Sequence, residues 1–290
     1  MAQNRFFKIL LTVLLVIAVG FGCGYLLGKR LKPKEPVLTI IHFNDTHSHF
    51  EPVRQADGSM LGGVIERAAF IDSVRKADGP ENVLVLHAGD FNQGSSYYTT
   101  LGGELEIATL NAIGYDAVCL GNHEFDDGIE SLAKRLAKCE CPVVCADYDF
   151  STFELGKYVK PYVIVEKAGM KIGIIGLLPD LSSVVDRDVV DRMPYLDPAT
   201  QVNKWAALLK EEEKCDLVIA LNHIGYEGEP YTDPEMVADT RNVDLVVGGH
   251  SHTFLEEMQW VKNLDGVEVP IVQDGCWGLY AGMLKIKKAK

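Results

Sequence analysis

The chain has 290 residues, 47% of them hydrophobic, and a formal net charge of −13. This length and composition allow a substantial core in one large domain or two small ones, and they exclude a disordered or fibrous chain. Beyond residue 35 there are 22 basic and 40 acidic residues, a net charge of −18, which excludes a nucleic-acid polymer as the main partner because a phosphate backbone would be repelled.

The first element is residues 9–28, ILLTVLLVIAVGFGCGYLLG, 20 positions without a charge. About 20 apolar residues suffice to cross a bilayer, and the run is longer than the ~7–15-residue core of a cleaved signal. A membrane signal-anchor is therefore expected. A cleaved signal is the alternative, as is lipid attachment at Cys23 behind the small-residue stretch Gly20-Phe21-Gly22. Arg5 and Lys8 precede the span, but Lys29, Arg30, Lys32 and Lys34 follow it, and these charges taken alone would keep the body in the cytoplasm. With the basic, proline-bearing linker LKPKEP, this segment occupies residues 1–35 and leaves one globular domain, 36–290.

From there, β-branched runs alternate with helical stretches. The runs are VLTIIHF (37–43), NVLVLHA (82–88), YDAVCLG (115–121), CPVVCAD (141–147), KIGIIGLL (171–178), CDLVIALN (215–222) and VDLVVGG (243–249). Segments 62–77, 128–138 and 199–214 between them have helical spacing. Short apolar runs separated by helices predict an α/β fold with buried strands. The closing VPIVQDG and AGMLKIKK read as a final strand pair. Cys119 and Cys145 lie inside apolar runs, where a free thiol packs as a small hydrophobe. Cys139-x-Cys141 is half of a zinc motif with no second half at matching spacing.

Nearly every run ends in groups able to bind metal: Asp45 and His47, Asp90, Asn122 and His123, His223, and finally His250 and His252. In open α/β sheets ligands gather beyond the carboxyl ends of strands, so these ends are expected to converge. Each motif alone has a plainer reading: Asp45-x-His47 as a strand-end turn, Asp90 as a helix cap, His223 as a core histidine. As a set they are two carboxylates, one amide and four imidazoles, too many for one tetrahedral zinc. Shared between two cations they give each about four ligands if one carboxylate bridges. Mixed nitrogen and oxygen donors suit the zinc, manganese, iron or cobalt class, and two such ions can clamp both oxygens of an in-line phosphoryl displacement.

The series N-D-T-H (44–47), G-D-x-x-Q-G (89–94), G-N-H-E-F-D (121–126), N-H (222–223) and G-G-H-S-H (248–252) resembles the calcineurin-like metallophosphoesterases. Within them it is similar to the N-terminal catalytic domain of the 5′-nucleotidase / UDP-sugar hydrolase family, over about residues 37–290. The resemblance implies a four-layer α/β/β/α sandwich of the metallo-dependent phosphatase type carrying two divalent ions. One would take Asp45, His47, Asp90 and His252. The other would take Asp90, Asn122, His223 and His250, with Asp90 bridging. It further implies His123 as the group that stabilises the transition state and protonates the leaving oxygen, oriented by Asp126. The nucleophile would be a water activated by the metals.

The implied activity is hydrolysis of nucleotide phosphomonoesters outside the cytoplasm, at the membrane or in a periplasm. Phosphodiester or pyrophosphate hydrolysis on 2′,3′-cyclic nucleotides or UDP-sugars is the alternative, and a non-catalytic binding subunit is a third reading from another class. Family members carry a C-terminal domain that clamps the base. The chain ends after the last strand of the catalytic domain, so a separately encoded domain of that type is an expected partner. His49, His42, His87, Tyr97 and Tyr98 lie near these motifs as supporting groups or as packing.

Overall fold

Side-chain alternation along the buried strands divides their residues between different cores. In β1 (Val37–Phe43), Leu38 and Ile40 face one way and Ile41 and Phe43 the other. The computed structural model describes residues 37–288. After β1 come β2 (Val53–Arg54) and β3 (Met60–Leu61), which form a hairpin, then β4 (Val83–His87), β5 (Ala117–Cys119), β6 (Val143–Val144) and β7 (Val159–Lys160). They are followed by β8 (Tyr162–Lys167), β9 (Met170–Leu177), β10 (Leu217–Asn222), β11 (Leu245–Val247), β12 (Gln259–Lys262), β13 (Glu268–Val272) and β14 (Gly282–Lys287).

Two six-stranded sheets result, in the orders β14-β1-β4-β5-β6-β7 and β12-β13-β11-β10-β9-β8. Their inner strands are parallel, as in Thr39↔Val83 and Ile219↔Leu245, and antiparallel strands close three of the edges. Leu38, Leu84, Leu86, Cys119, Ile172, Ile219, Leu221 and Val247 fill the space between the sheets. The outer face of the first sheet is covered by helices Val64–Asp78, Glu104–Ile113 and Ile129–Leu136, which supply Ile71, Leu110 and Leu132. Helices Pro198–Ala207 and Asp233–Ala238 cover the second with Val202, Ala206 and Met236. The architecture is therefore a four-layer α/β/β/α sandwich. Burial on both faces explains why the parallel strands read as continuous apolar runs.

Three details depart from the sequence reading. The segments 269–275 and 281–288 do not pair with each other. Strand β13 joins β11 and β12 in the second sheet, while β14 lies antiparallel to β1 in the first. Left-handed backbone at Gly275, Trp277 and Gly278 carries the chain from one sheet to the other. The helix foreseen over 199–214 is regular only over Pro198–Ala207 and widens into a π-type turn over Leu208–Glu212. The sequence reading also passed over β2, β3, β7, β8 and β12 and the helices Ser96–Leu101, Glu104–Ile113, Arg187–Val190 and Asp233–Ala238. The apolar segment 9–28 lies outside the described residues. Among those described, no helix is long and apolar enough to cross a membrane.

Among the described residues six cysteines are free: Cys119, Cys139, Cys141, Cys145, Cys215 and Cys276. Cys145 Sγ donates to the fully buried Asp147, whose carboxylate also receives the Leu178 N–H at 3.0 Å. Burial pushes the Asp147 pKa up to about 8. A carboxyl raised in this way stabilises the fold fully below its unfolded value, and that contribution is lost as pH rises through the folded one. Denaturant unfolding at pH 5, 6.5 and 8 should therefore show the wild type losing stability relative to Asp147→Asn, by up to about 1.4 kcal/mol per pH unit. Parallel curves would overturn this account.

Candidate metal centre

Five parallel strands bring the histidine and carboxylate motifs to one end of the sandwich. Asp45 and His47 follow β1, Asp90 follows β4 and Asn122 follows β5, while His223 follows β10 and His250 and His252 follow β11. The first three strands belong to one sheet and the last two to the other, so the cluster lies where the carboxyl ends of both sheets meet. Asp45, His47, Asp90, His250 and His252 all have left-handed backbone, with φ between 46° and 75°. Asp and His enter that region more readily than most residues, but each such residue costs on the order of 1–3 kcal/mol.

The loops are held in these conformations by buried hydrogen bonds. Glu124 is fully buried, and its carboxylate accepts the N–H groups of Asp90 (2.9 Å), Phe91 (3.1 Å), Asn92 (3.1 Å) and Gly121 (2.5 Å). Burial and the nearby Asp90 push its pKa up to about 7. Asp45 accepts the His250 N–H at 2.9 Å and the Asn44 amide at 2.6 Å. Two glycines permit the close approach. A Cβ at Gly121 would strike Asp90, and one at Gly249 would lie 2.7 Å from the Ala88 carbonyl and 2.8 Å from His223 Nδ1.

The donor atoms fall into overlapping groups, Asp45–His47–His252, His47–Asp90–His123 and Asp90–His223–His250, each with atoms within 4.8 Å of one another. His47 Nε2 and His252 Nε2 are 3.0 Å apart, and Asp45 Oδ1 lies 3.7 and 3.3 Å from them. Asp90 Oδ2 is 3.0 Å from His223 Nε2 and 3.7 Å from His47 Nε2, so it touches both sides. Donors about 2.0–2.1 Å from a zinc-class ion stand roughly 3.3 Å apart in a tetrahedron, close to these spacings.

Orphaned atoms point the same way. Asn122 Oδ1 and His223 Nε2 are buried without a hydrogen bond, the latter despite its nearness to Asp90. His223 Nδ1 donates to the Ala88 carbonyl at 2.6 Å, which makes Nε2 the lone-pair nitrogen of the neutral ring and the one available to an ion. With protein charges alone the imidazoles must answer the carboxylates. Burial opposes charge on His223, but Asp90 and Asp45 outweigh it and raise the ring to about 10. Asp45 does the same to His252, again to about 10, whereas burial and the His223 charge hold His250 down at about 4. The donor set thus calls for a compact positive charge, and its mixed imidazole, carboxylate and amide character fits divalent ions. Cys139 and Cys141 stand outside these groups, whereas the Cys276 side chain lies beside His252.

His123 and Asp126 flank the cluster on the turn Asn122–Phe125 and the residue after it. His123 Nδ1 is 2.9 Å from Asp126 Oδ2, and this hydrogen bond raises the ring's pKa. The ring centroid is 5.3 Å from that of His47. Helix Ile129–Leu136 is capped by Gly128, so Asp126 is not its cap. Of the other histidines, His87 Nε2 meets Thr46 Oγ1 at 3.1 Å between two candidate ligands. His49 stacks on Trp277 with centroids 4.9 Å apart, and His42 is buried under Gly282 away from the cluster. Tyr97 and Tyr98 hydrogen-bond Glu51 and Asp127. The sequence reading missed the part played by Glu124, although it stands inside the G-N-H-E-F-D motif. It also missed Glu229, whose Oε1 is 3.4 Å from His250 Nε2.

The family model for calcineurin-like phosphoesterases matches residues 38–254. The chain belongs to that family. Within the calcineurin-like phosphoesterases it is 35% identical over 258 residues to an apyrase of Tabanus yao, covering 83% of this chain and 44% of the relative. It is 31% identical to a 5′-nucleotidase of Bos taurus, covering 91% of this chain and 48% of that protein. The crystal structure of a 5′-nucleotidase precursor from Thermus thermophilus superposes with a TM-score of 0.79 at 33% identity, over 87% of this chain and 51% of that one. The chain spans about half the length of the curated relatives it matches.

Asp90 reaches donors on both sides of the cluster, whereas His252 reaches one. Asp90→Asn should therefore lower bound metal, measured by mass spectrometry on the purified protein, more than His252→Ala does. Equal losses would overturn the division of donors into two groups.

Proposed function

We propose that residues 37–288 are the catalytic unit of a dinuclear metal-dependent phosphohydrolase of the 5′-nucleotidase type, which cleaves a nucleotide phosphomonoester into nucleoside and phosphate with consumption of one water. The observation that carries this reading is the cluster of Asp45, His47, Asp90, His223, His250 and His252 with Asp90 reaching both halves, together with the unpartnered Asn122 Oδ1 and the His123–Asp126 pair. In this reading one ion is held by Asp45, His47, Asp90 and His252, and the other by Asp90, Asn122, His223 and His250. The ions would supply Lewis-acid charge and acidify a water. Asn122 anchors the turn that presents His123. Asp126 accepts from Nδ1, so Nε2 carries the remaining proton of the imidazolium and donates it to the leaving oxygen, a contribution typically worth ~10²–10⁴-fold. The half-exposed His123 ring is open to a substrate entering from solvent.

A panel of AMP, a UDP-sugar, a 2′,3′-cyclic nucleotide and an aryl phosphate, assayed with Zn²⁺, Mn²⁺ and Co²⁺, tests the reading. AMP should turn over, chelation should abolish activity, and His123→Ala should lower kcat by roughly 10²–10⁴-fold with metal content retained. Diesters cleaved in preference to AMP would favour the phosphodiesterase alternative. A fully loaded protein that turns over nothing would favour a binding subunit.

Residues 9–28 are proposed as a membrane tether that holds this unit outside the cytoplasm, on the length and apolar character of the run. Protease added to intact expressing cells should digest the catalytic unit. Protection until lysis would show that the basic residues after the span decide its orientation instead.

A further inference from the structure

Strand β13 lies in the second sheet and β14 in the first, and the chain between them leaves a cavity at that edge of the sandwich. It measures about 280 Å³, near the lower end of the ~300–1,000 Å³ range of small-molecule sites. Phe254, Met258, Tyr280 and Met283 form its rim, each 43–48% exposed. The Phe254 and Tyr280 rings lean on each other with centroids 4.4 Å apart. Apolar side chains gathered in this way mark an interaction site, unlike apolar residues scattered singly over a surface.

The floor is polar. His42, Gln273 and Asp274 line it, and all three are more than nine-tenths buried. His42 Nδ1 and Gln273 Nε2 have no hydrogen-bond partner. Asp274 Oδ2 accepts the Gly282 N–H at 3.1 Å, and a Cβ at Gly282 would strike His42 Nε2, so carboxyl and imidazole flank the same glycine. Burial holds the His42 pKa down at about 4, so the neutral ring keeps one lone pair. Burial also pushes the Asp274 carboxyl well above the usual carboxylate range, the state of a buried carboxyl that lacks a cation. Glu256 adds a second carboxylate to the wall, and among the described residues no lysine or arginine lines the cavity.

A guest that suits both surfaces has an apolar body and a cationic head. An ammonium group offers three N–H donors, enough for the carboxyl and the imidazole lone pair together. A carboxylate or phosphate in its place would meet Asp274 and Glu256 with nothing to neutralise it. The floor is also tied to the metal-ligand loops on two sides. The Asp274 N–H donates to Asn44 Oδ1 at 3.1 Å, and the Asn44 amide donates to Asp45 Oδ2 at 2.6 Å. Ser251, between His250 and His252, donates from Oγ to Gln273 Oε1 at 3.1 Å.

We propose that this cavity binds a small organic monocation with an apolar body, and that its occupancy is coupled through Asn44 and Ser251 to the metal centre. The site is distinct from the strand-end cluster and does not depend on the reaction assigned to that cluster.

Calorimetric titration of the full chain with benzylamine, benzyl alcohol and benzoate tests the site, since the three share one body and differ in the charge of the head. Benzylamine should bind roughly 10- to 150-fold more tightly than benzyl alcohol, the factor expected of hydrogen bonds to a charged group, and benzoate should not bind. Asp274→Asn should remove the preference for the amine. Tyr280→Ala, at the exposed rim, should instead weaken amine and alcohol alike, by about 2- to 12-fold. Benzylamine affinity should differ by about 5-fold or more between zinc-loaded and metal-free protein, with zinc affinity shifted by the same factor when benzylamine is bound. Equal affinities for the three probes, or an amine preference unmoved by Asp274→Asn, would overturn the site. A benzylamine affinity indifferent to zinc would overturn the coupling.

Discussion

The centre is organised by the confinement of two buried carboxylates, Asp45 and Asp90, among imidazoles 3.0–3.7 Å away. Carboxylates taken out of water demand compensating positive charge, and among the described residues their ion-pair partners are histidines. Every nearby device serves that demand. The left-handed loops aim the side chains inward, Glu124 ties the Asp90 loop to the Gly121 turn, and the glycines let backbone pass within contact distance of Asp90 and His223. Strain of this kind persists only where the surroundings over-determine it, and the buried hydrogen bonds to Glu124 and Asp45 supply that rigidity.

The double sheet makes the convergence possible. A single parallel sheet would spread five strand ends along one line. Here β1, β4 and β5 come from one sheet and β10 and β11 from the other, and the core packed between them fixes their separation. The apolar residues facing that core therefore set the distances between donors, because a packed interior does not deform continuously. His47 and His252, 205 positions apart in the chain, meet at 3.0 Å for this reason.

The electrostatics also separate functions in space. An acidic domain is poorly suited to hold phosphate on its general surface, so positive charge has to be concentrated where the carboxylates can attract it. Beyond the cluster, the cavity between β13 and β14 keeps the acidic character and adds aromatic walls. His123, supported by Asp126, retains access to solvent, as does His252, whereas the His47 and His223 rings are buried.

Sequence alone determined the α/β class, the principal parallel strands and the residues that would gather at their ends. It could do so because two-sided burial writes continuous apolar runs, and strand-end chemistry is local. It did not determine how the last strands divide between the sheets, since period-2 alternation in β13 and β14 is blind to which partner each will find. Nor did it reveal Glu124 as the clamp or Glu229 as a neighbour of His250. A buried glutamate inside a motif looks like any other acidic residue until its four N–H donors arrive from two loops. Which donors face one another, and at what distance, was decided only by the packing of one sheet on the other, because that packing sets distances between segments that lie far apart in the chain.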